Sequence, residues 1–467
     1  MTLVLPAPRG ALRPAMPEVG RGFGIGLGLE IRRDPLAFFL RLREEHGDLV
    51  RLNLKPRSLV VISRPELIGP ILNEHHYRFH KSSFMQLLRP VIGNALLLSE
   101  GKAWKDQRQT AAPGFNGAAL ASYCAAIDAE ARLLAERWSR QARDGETLNA
   151  SRGLSKLTLQ VILRTLFGQG SGERWEELYL SLSAVMRTIE KRFWSLWPLS
   201  AHLPTPENFR FASDVRTLRN QIAEVIASAF AEQPAVRAEG APPGGRLIDH
   251  LLLMYSAEGA RPDPRLLADE ALIYILAGID TTANAISWTL HLLNRHPEIA
   301  ERVRDEADAA CAGGQALTMG RMEALPLTRA ALCEALRLYP PVWTFSRIAV
   351  EDVELPGLSL KKGQNVMISP WVLHRDRRLW PNPERFDPSR FESGLPARGR
   401  GYSYLPFGYG PRGCLGARFA MMEAMIVVAR LFHRLRLTSF AGRPVRPEPM
   451  ITLRPSPDLL LRGEARA

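Results

Sequence analysis

One short segment near the carboxyl end constrains this chain more than any other feature of its 467 residues. Residues 407–416 read FGYGPRGCLG, so a lone cysteine, Cys414, sits among glycines, a proline and an arginine. Apolar residues then recur at helical spacing from Leu415 to Ala429, a pattern that predicts a helix with one buried face. We therefore expect Cys414 at a helix N-terminus, where free N–H groups and the helix dipole favour a thiolate.

The composition of this loop suits a cysteine that carries a metal. Gly410, Gly413 and Gly416 remove side chains where a backbone turns tightly or closely approaches a flat partner. Arg412 can hold a carboxylate of that partner through two parallel hydrogen bonds. A buried structural cysteine in a glycine-rich turn is the alternative, because single cysteines are commonly buried for packing alone.

Written as F-x-x-G-x-R-x-C-x-G, the segment resembles the haem-binding loop of the cytochrome P-450 family, the haem-thiolate monooxygenases. The resemblance implies haem b (iron protoporphyrin IX) as the cofactor, with Cys414 as the iron ligand. Thiolate ligation pushes electron density onto the iron and favours O–O cleavage. The implied fold is mainly α with a small β lobe, and the haem lies between the long central helix and the helix that follows the cysteine.

The remaining sequence patterns predict a mostly helical chain. Helical periodicity covers Pro35 to His46 and dominates from Glu66 to Leu338, with a surface loop at 240–245. Short β-type runs are predicted at 49–54, 59–63, 353–360 and 365–369, the first two joined by a hairpin turn. We predict an irregular N-terminal arm over residues 1–30, rich in Pro, Gly and Arg, and a single haem-thiolate monooxygenase domain over residues 31–467.

A long helix is predicted from Pro264 to Asn294, with Asp263 as its N-cap. It would span roughly 45 Å, enough to cross the whole body. Its apolar middle contains Asp280 and Thr281. A threonine hydroxyl that bonds a carbonyl one turn earlier is the ordinary interpretation of Thr281.

The resemblance gives this acid–alcohol pair a catalytic role. It implies that Gly278 opens room over the iron and that Thr281 donates a hydrogen bond to the reacting oxygen. It also implies that Asp280 links the site to a supply of protons.

Glu334 and Arg337 lie three residues apart on another predicted helix, where such a pair is ordinarily a weak surface interaction. With Arg385 in the downstream segment Pro383-Glu384-Arg385-Phe386, they resemble the family's E-x-x-R helix and its partner arginine. The resemblance implies that Glu334, Arg337 and Arg385 form a charge network that braces the haem loop, a structural role rather than a catalytic one.

The haem propionates need cationic or N–H partners. Trp104 and Arg108 match the family's W-x-x-x-R element, Arg347 and Arg412 fit further contacts, and Lys81 is a weaker candidate. The cofactor-binding set implied by the resemblance is Trp104, Arg108, Arg347, Phe407, Arg412, Cys414 and Gly416.

Family position also places a set of apolar residues around the substrate. They are Phe84, Met85, Leu87, Leu88, Ala277, Trp343, Phe345, Ile451 and Thr452, with Trp194 and Trp197 near a mobile lid. Aromatic and aliphatic residues of this kind equally suit a protein core. If they line a pocket, their apolar character favours a hydrophobic substrate such as a fatty acid, a terpenoid or a polyketide.

The net charge and the cysteine content indicate which kind of partner and which cellular compartment to expect. The formal net charge is +13 without a basic run, which makes nucleic-acid binding a weak hypothesis. An acidic protein partner is the better use of this charge, and an arginine-rich composition alone is the equal alternative. Four cysteines without paired spacing favour a reducing compartment. Residues 1–10 contain too few apolar residues to span a bilayer. We therefore expect a cytoplasmic enzyme without a membrane anchor.

The predicted reaction inserts one oxygen atom from O₂ into a hydrophobic substrate, by hydroxylation or epoxidation. Since no flavin or ferredoxin segment follows Ala467, we expect a ferredoxin and a ferredoxin reductase, as separate chains, to supply the electrons. A peroxide-driven hydroxylase and an oxygen-independent haem-thiolate isomerase are the alternatives within the family. A haem-based sensor is the alternative outside catalysis.

Overall fold

The computed structural model describes residues 16–20, 25–54, 57–168, 174–193, 203–231, 246–256, 264–394, 402–440 and 444–466. Helices make up most of this part of the chain. In chain order they are α1 (Ile25–Arg33), α2 (Pro35–His46), α3 (Pro65–Gly69), α4 (Arg89–Ile92), α5 (Gly101–Ala111), α6 (Gly117–Arg143), α7 (Ala150–Leu166), α8 (Arg174–Phe193), α9 (Pro206–Ala231), α10 (Leu247–Ser256), α11 (Pro264–Asn294), α12 (Pro297–Cys311), α13 (Met319–Met322), α14 (Pro326–Leu338), α15 (Pro370–Leu373) and α16 (Ala417–Arg434).

The strands are short and form separate small sheets. They are β1 (Glu18–Val19), β2 (Leu49–Leu54), β3 (Arg57–Ile62), β4 (Phe79–Lys81), β5 (Leu148–Asn149), β6 (Phe345–Ala349), β7 (Val353–Leu355), β8 (Leu358–Leu360), β9 (Asn365–Ile368), β10 (Leu435–Ser439), β11 (Arg446–Pro449), β12 (Leu453–Ser456) and β13 (Leu460–Ala465). The largest sheet has the strand order β1-β2-β3-β9-β6-β4, and β10-β13-β5, β11-β12 and β7-β8 form the others. The prediction of a mainly α fold with a small β lobe is confirmed.

The long central helix is α11, with the predicted bounds. Its residues are buried on several faces, among them Leu272, Ile275, Ile286 and Leu290. A helix that is apolar around most of its circumference is stable only inside a protein. The length of α11 and its burial therefore place residues 277–281, at its middle, in the interior of the molecule.

The irregular arm predicted for residues 1–30 is wrong in its second half. Strand β1 pairs in parallel with β2, and α1 begins at Ile25. The physical reason is that side-chain hydrogen bonds join β1 to β2. The Glu18 carboxylate accepts from Arg51 at 3.2 Å and from Asn53 at 3.3 Å. A Pro/Gly-rich composition did not reveal this pairing, because its partner strand lies thirty residues away in sequence.

Several predicted features fall outside the described residues: the first half of the arm, the turn at Lys55 and Pro56, the loop at 240–245 and the N-cap Asp263. Within the described ranges, no helix combines the length and the apolar character needed to cross a lipid bilayer.

Candidate active site

A cavity of about 800 Å³ lies between the middle of α11 and the loop that precedes α16. Most of its lining is apolar, and the polar groups gather at a few places along the wall. All of the residues predicted to bind the cofactor line this cavity: Trp104, Arg108, Arg347, Phe407, Arg412, Cys414 and Gly416. The catalytic candidates Asp280 and Thr281 line it as well. The fold thus brings together residues that are up to about three hundred positions apart in sequence.

The cysteine loop is closed by backbone hydrogen bonds. The Cys414 N–H donates to the Phe407 carbonyl at 2.8 Å, and the Gly413 N–H donates to the Gly410 carbonyl at 2.9 Å. Gly410 has φ = +70°, and a Cβ at this position would lie 2.2 Å from the Leu72 carbonyl oxygen. Only glycine fits there, so this turn holds Cys414 at the start of α16 with its side chain open to the cavity.

Burial and the polar groups around Cys414 act in opposite directions on its pKa. Burial raises the pKa of the thiol, and the opposing contributions of the Gly416 N–H and the Arg108 charge are smaller. The Gly416 N–H at the start of α16 thus favours the thiolate, as predicted, and desolvation of the sulfur opposes it. A bound metal ion would favour the thiolate further, since a coordinating thiol is deprotonated outright.

Glu334 and Arg337 form a fully buried ion pair behind the cysteine loop. Arg337 donates from Nε and Nη2 to the two carboxylate oxygens at 2.7 and 2.8 Å, and both side chains are 0% exposed. The Asp387 N–H adds a hydrogen bond to Glu334 at 3.0 Å. Burial raises the pKa of Glu334, while the bonds from Arg337 lower it.

The third member of this network is not the predicted one. Arg385 offers only its backbone carbonyl, which accepts from Arg337 Nη2 at 3.2 Å, and its side chain is exposed. The guanidinium that faces Glu334 belongs to Arg390, with Nε 3.3 Å from the carboxylate. The reason is the turn at Asn382, which directs Arg385 outward before the short 3₁₀ helix Pro388–Phe391 brings Arg390 back to α14.

His374 connects this ion pair to the cysteine loop. The Arg337 guanidinium donates to the His374 carbonyl at 2.8 Å, and the His374 ring nitrogen Nδ1 lies 3.0 Å from the Arg337 carbonyl. The Leu405 N–H, two residues before Phe407, donates to His374 Nε2 at 2.9 Å. Because Nε2 must accept, the ring is neutral, in agreement with a pKa lowered by burial to about 3. Sequence reasoning did not identify this residue.

Positive charge is concentrated at one edge of the cavity. Lys81 on β4 and Arg347 on β6 stand directly opposite each other on paired strands, with Arg412 and Arg108 nearby. Burial, assisted by Arg347 and Arg412, lowers the pKa of Lys81 to about 7, and burial lowers that of Arg347 to about 10. Among the described residues, Glu100 is the one carboxylate that acts on the Lys81, Arg347 and Arg412 charges.

Arg412 is held by a carboxylate and a carbonyl of the protein itself. Its guanidinium pairs with Glu100 and donates to the Ser99 carbonyl at 2.9 Å. It also lies 3.9 Å from the centre of the Trp104 ring, which stacks two of the predicted cofactor contacts on each other.

The residues of this cavity fit a haem. Like charges directly opposite on neighbouring strands are destabilising, and Lys81 and Arg347 are placed in that way. Two propionate carboxylates at this edge would offset the surplus of cations, and Cys414 at the neighbouring wall supplies a sulfur ligand for the iron. Trp104, Arg108, Arg347, Arg412 and Lys81 would hold the propionates.

Thr281 and Asp280 have different hydrogen-bonding situations. The Thr281 hydroxyl donates to the Ala277 carbonyl at 2.6 Å, one turn earlier on α11, as in the ordinary interpretation of a helical threonine. Nothing in the described part of the chain donates a hydrogen bond to the Asp280 carboxylate; its strongest charge partner is Arg454, and burial raises its pKa. One turn later, Asn284 donates to the Thr452 hydroxyl at 3.2 Å.

Gly278 serves helix packing. A Cβ at this position would lie 2.4 Å from Cδ1 of Ile162 on α7. The missing side chain therefore allows α11 and α7 to approach closely at the cavity, which Gly278 and Ile162 both line.

The predicted substrate-contacting residues also line the cavity: Phe84, Met85, Leu87, Leu88, Ala277, Trp343, Phe345, Ile451 and Thr452. Trp343 is fixed by a hydrogen bond from Nε1 to the Met450 carbonyl at 2.9 Å. Phe84 packs edge-on against Phe193 of α8, with ring centres 5.3 Å apart. Trp194 and Trp197 lie outside the described residues.

Sequence reasoning missed a charged group on the cavity wall, Glu190 on α8. Its carboxylate accepts from Arg454 of β12 at 3.2 Å. The one available signal was a glutamate at the end of the apolar face of α8, which is too common a feature to indicate a pocket.

Comparison with known proteins gives a consistent result along the chain. The family model for cytochrome P-450 matches residues 14–462. Cyclooctatin synthase from Streptomyces melanosporofaciens is 32% identical, with 92% of each chain covered. Cyclooctat-9-en-7-ol 5-monooxygenase from the same organism is 32% identical, covering 90% of this chain and 88% of the relative.

Two further matches extend the comparison. Pentalenene oxygenase from Streptomyces avermitilis is 29% identical, covering 97% of this chain and 96% of the relative. The crystal structure of a mutant cytochrome P-450 haem domain superimposes with a TM-score of 0.82 at 23% identity, covering 97% of this chain and 98% of that one. This structural match shows the fold.

Proposed function

The chain belongs to the cytochrome P-450 family, and on that premise we propose that it hydroxylates a terpenoid. It is a haem-dependent monooxygenase, an oxidoreductase that uses O₂ and redox partners on a hydrophobic substrate. The observation that carries the proposal is the single cavity that Cys414, the cationic edge, the Asp280–Thr281 pair and an apolar wall all line. When bound, the haem supplies the activation of oxygen, and the protein supplies binding, orientation and protons.

The terpenoid class is supported by the relatives and by the cavity wall. The names of two relatives state that they oxidise cyclooctat-9-en-7-ol and pentalenene. In this chain the apolar lining of the cavity includes Phe84, Leu87, Leu88, Ala277 and Phe345. Such a surface binds a polycyclic hydrocarbon skeleton by excluding water, at about 25 cal/mol for each Å² of apolar surface removed from water.

We assign proton handling to Asp280 and Thr281. Because the Thr281 hydroxyl donates its hydrogen bond to the Ala277 carbonyl, its oxygen lone pairs face the cavity. The oxygen can accept a hydrogen bond from a donor there. Rotation about χ1 would let it donate into the cavity instead. Desolvation raises the pKa of Asp280, so this carboxyl can carry a proton and pass it on from the side where Arg454 lies.

Removing the Thr281 hydroxyl should uncouple electron use from product formation. In Thr281→Ala we expect NAD(P)H consumption to continue while product per NAD(P)H falls and hydrogen peroxide rises. Positioned acid assistance is typically worth about 10²–10⁴ in rate, and water leaking into the space would soften the loss. The measurement is product and peroxide formed per NAD(P)H, in a reconstituted system with a substrate whose binding has been verified.

Thr289 on the same helix provides the matched control. Its hydroxyl also donates to a carbonyl one turn earlier, at 2.7 Å from Ala285, but it is fully buried away from the cavity. Thr289→Ala should therefore keep normal coupling. Unchanged coupling in Thr281→Ala, with substrate still bound, would leave Thr281 as a packing residue and favour the peroxide-driven alternative.

We also propose that the electron donor is an acidic ferredoxin, reduced by a separate reductase. The chain has a formal net charge of +13, and Arg418 is exposed in the first turn of α16, directly behind the cysteine loop. A basic face there would steer an acidic carrier toward the haem edge.

Electron delivery should then depend strongly on salt. Steering of this kind raises association rates by about 10–10³, and screening shortens its range to about 10 Å at 0.1 M salt, so the reduction rate should fall steeply with ionic strength. Arg418→Gln should lower the low-salt rate, while Arg187→Gln, the same change at an exposed position of α8, should not. A rate that stays flat across ionic strength would count against electrostatic docking.

A further inference from the structure

Glu190 is a charged side chain in an otherwise apolar stretch of the cavity wall. It lies near the end of α8, is 7% exposed, and lines the same cavity as Thr281. Its neighbours on α8 that also line the cavity are Met186, Ile189 and Phe193. A carboxylate in such surroundings is costly unless polar partners surround it.

One partner of Glu190 is Arg454 on β12. Arg454 Nη1 lies 3.2 and 3.4 Å from the two carboxylate oxygens of Glu190. The same guanidinium donates from Nε to Glu448 on β11 at 2.8 Å, away from the cavity. Arg454 therefore bridges one carboxylate that lines the cavity and one that does not.

The Glu190 carboxylate retains unused acceptor capacity. An ionised carboxylate can accept about four hydrogen bonds, and within the described part of the chain its bonds come from one nitrogen of Arg454. Burial raises the pKa of Glu190, and the nearby charge of Asp280 raises it further against the effect of Arg454. A hydrogen-bond donor in the cavity would stabilise this carboxylate, and an anion there would destabilise it.

We propose that Glu190 binds a hydroxyl group of the substrate, so that the terpenoid oxidised by this enzyme is an alcohol and not the parent hydrocarbon. This inference rests on the proposed terpenoid hydroxylation. It disfavours a substrate that places a free carboxylate on this wall, because the Glu190 carboxylate would repel a negative charge there. The substrate would then come from an earlier hydroxylation, or from a cyclisation that ends with the addition of water.

The test compares matched ligands that differ by one hydroxyl. The holoenzyme would be titrated with each ligand, and the dissociation constant would be measured from the spin-state change of the haem. One pair of ligands is cedrane and cedrol, and the other is a diterpene hydrocarbon and its monohydroxylated derivative. A hydrogen bond to a charged acceptor is worth about 1.5–3 kcal/mol, so in at least one pair the alcohol should bind about 10-fold to 150-fold more tightly. Glu190→Met, which keeps the length of the side chain without an acceptor, should remove that preference.

Glu448→Gln is the matched control, because it removes a carboxylate from the same arginine without changing the cavity wall. It should keep the preference for the alcohol. Glu190→Gln retains a neutral acceptor and perturbs folding least, so it should retain part of the preference for the alcohol.

Equal binding of alcohol and hydrocarbon by the wild-type enzyme in every pair, or an unchanged preference in Glu190→Met, would overturn the proposal. In either case hydrocarbon hydroxylation could still be observed, so the proposed terpenoid hydroxylation would be judged separately. Failure to oxidise any terpenoid would reject that broader function instead.

Discussion

Replacing Glu334 by Ala should give an unstable protein that holds little haem. The change leaves the Arg337 guanidinium fully buried without its carboxylate partner, and breaking a buried ion pair in this way costs about 3–5 kcal/mol. Because Arg337 also bonds the His374 carbonyl and His374 receives the Leu405 N–H, the loss should extend to the cysteine loop. Haem content per polypeptide and the free energy of unfolding in urea are the two measurements.

An ion pair that is exposed on both sides serves as the control. Arg41 lies 2.8 Å from Glu30, and the two side chains are 50% and 52% exposed. Exposed pairs contribute about 0–1 kcal/mol, so Glu30→Ala should keep nearly normal stability and haem content. Normal haem loading in Glu334→Ala would remove the bracing role assigned to the pair.

Cys414→Ser should abolish product formation and the carbonyl spectrum of a thiolate haem, although the protein can still retain some haem. A serine hydroxyl cannot provide the electron donation of a thiolate. The cationic edge at Lys81, Arg108, Arg347 and Arg412 is unchanged in this variant, which is the reason to expect residual haem. The spectrum of the reduced carbonyl complex and the turnover of a verified substrate measure the two effects.

Cys124→Ser controls for the loss of any cysteine. Cys124 is buried on α6, where its sulfur contacts Met422 at 3.5 Å, and it does not line the cavity. This variant should keep the thiolate-type spectrum. If Cys414→Ser kept the red-shifted carbonyl band, the assignment of the iron ligand would be wrong.

The features that sequence could predict are local ones. The helix from Pro264 to Asn294 follows from a long apolar pattern and its flanking prolines, and the structure reproduces both bounds. The cysteine loop follows from glycine, proline and arginine spacing within ten residues. In both cases the sequence pattern lies within the segment itself, although partners elsewhere in the fold, such as the Leu72 carbonyl beside Gly410, then determine its geometry.

The features that sequence missed depend on residues brought together by folding. Glu190 and Arg454 are 264 positions apart, and neither has a neighbour in sequence that indicates the pairing. Arg390, rather than Arg385, faces Glu334 because a turn reverses the chain between them. Gly278 was interpreted through the iron site, whereas its immediate constraint is Ile162 on another helix.

The charge state of Cys414 could not be predicted from sequence for a different reason. A helix N-terminus and a nearby arginine both favour a thiolate, and sequence shows both. Desolvation acts in the opposite direction, and it depends on how much protein surrounds the sulfur. That quantity is known only from the folded structure.

The most direct test of the central claim follows the oxygen atom. The holoenzyme would be supplied with electrons and a terpenoid that it binds, once under isotopically labelled dioxygen in ordinary water and once under ordinary dioxygen in labelled water. Monooxygenation predicts that the new hydroxyl carries label in the first experiment and none in the second, as measured by mass spectrometry of the product. Label that enters only from water, or product formed in the absence of dioxygen, would contradict the assignment.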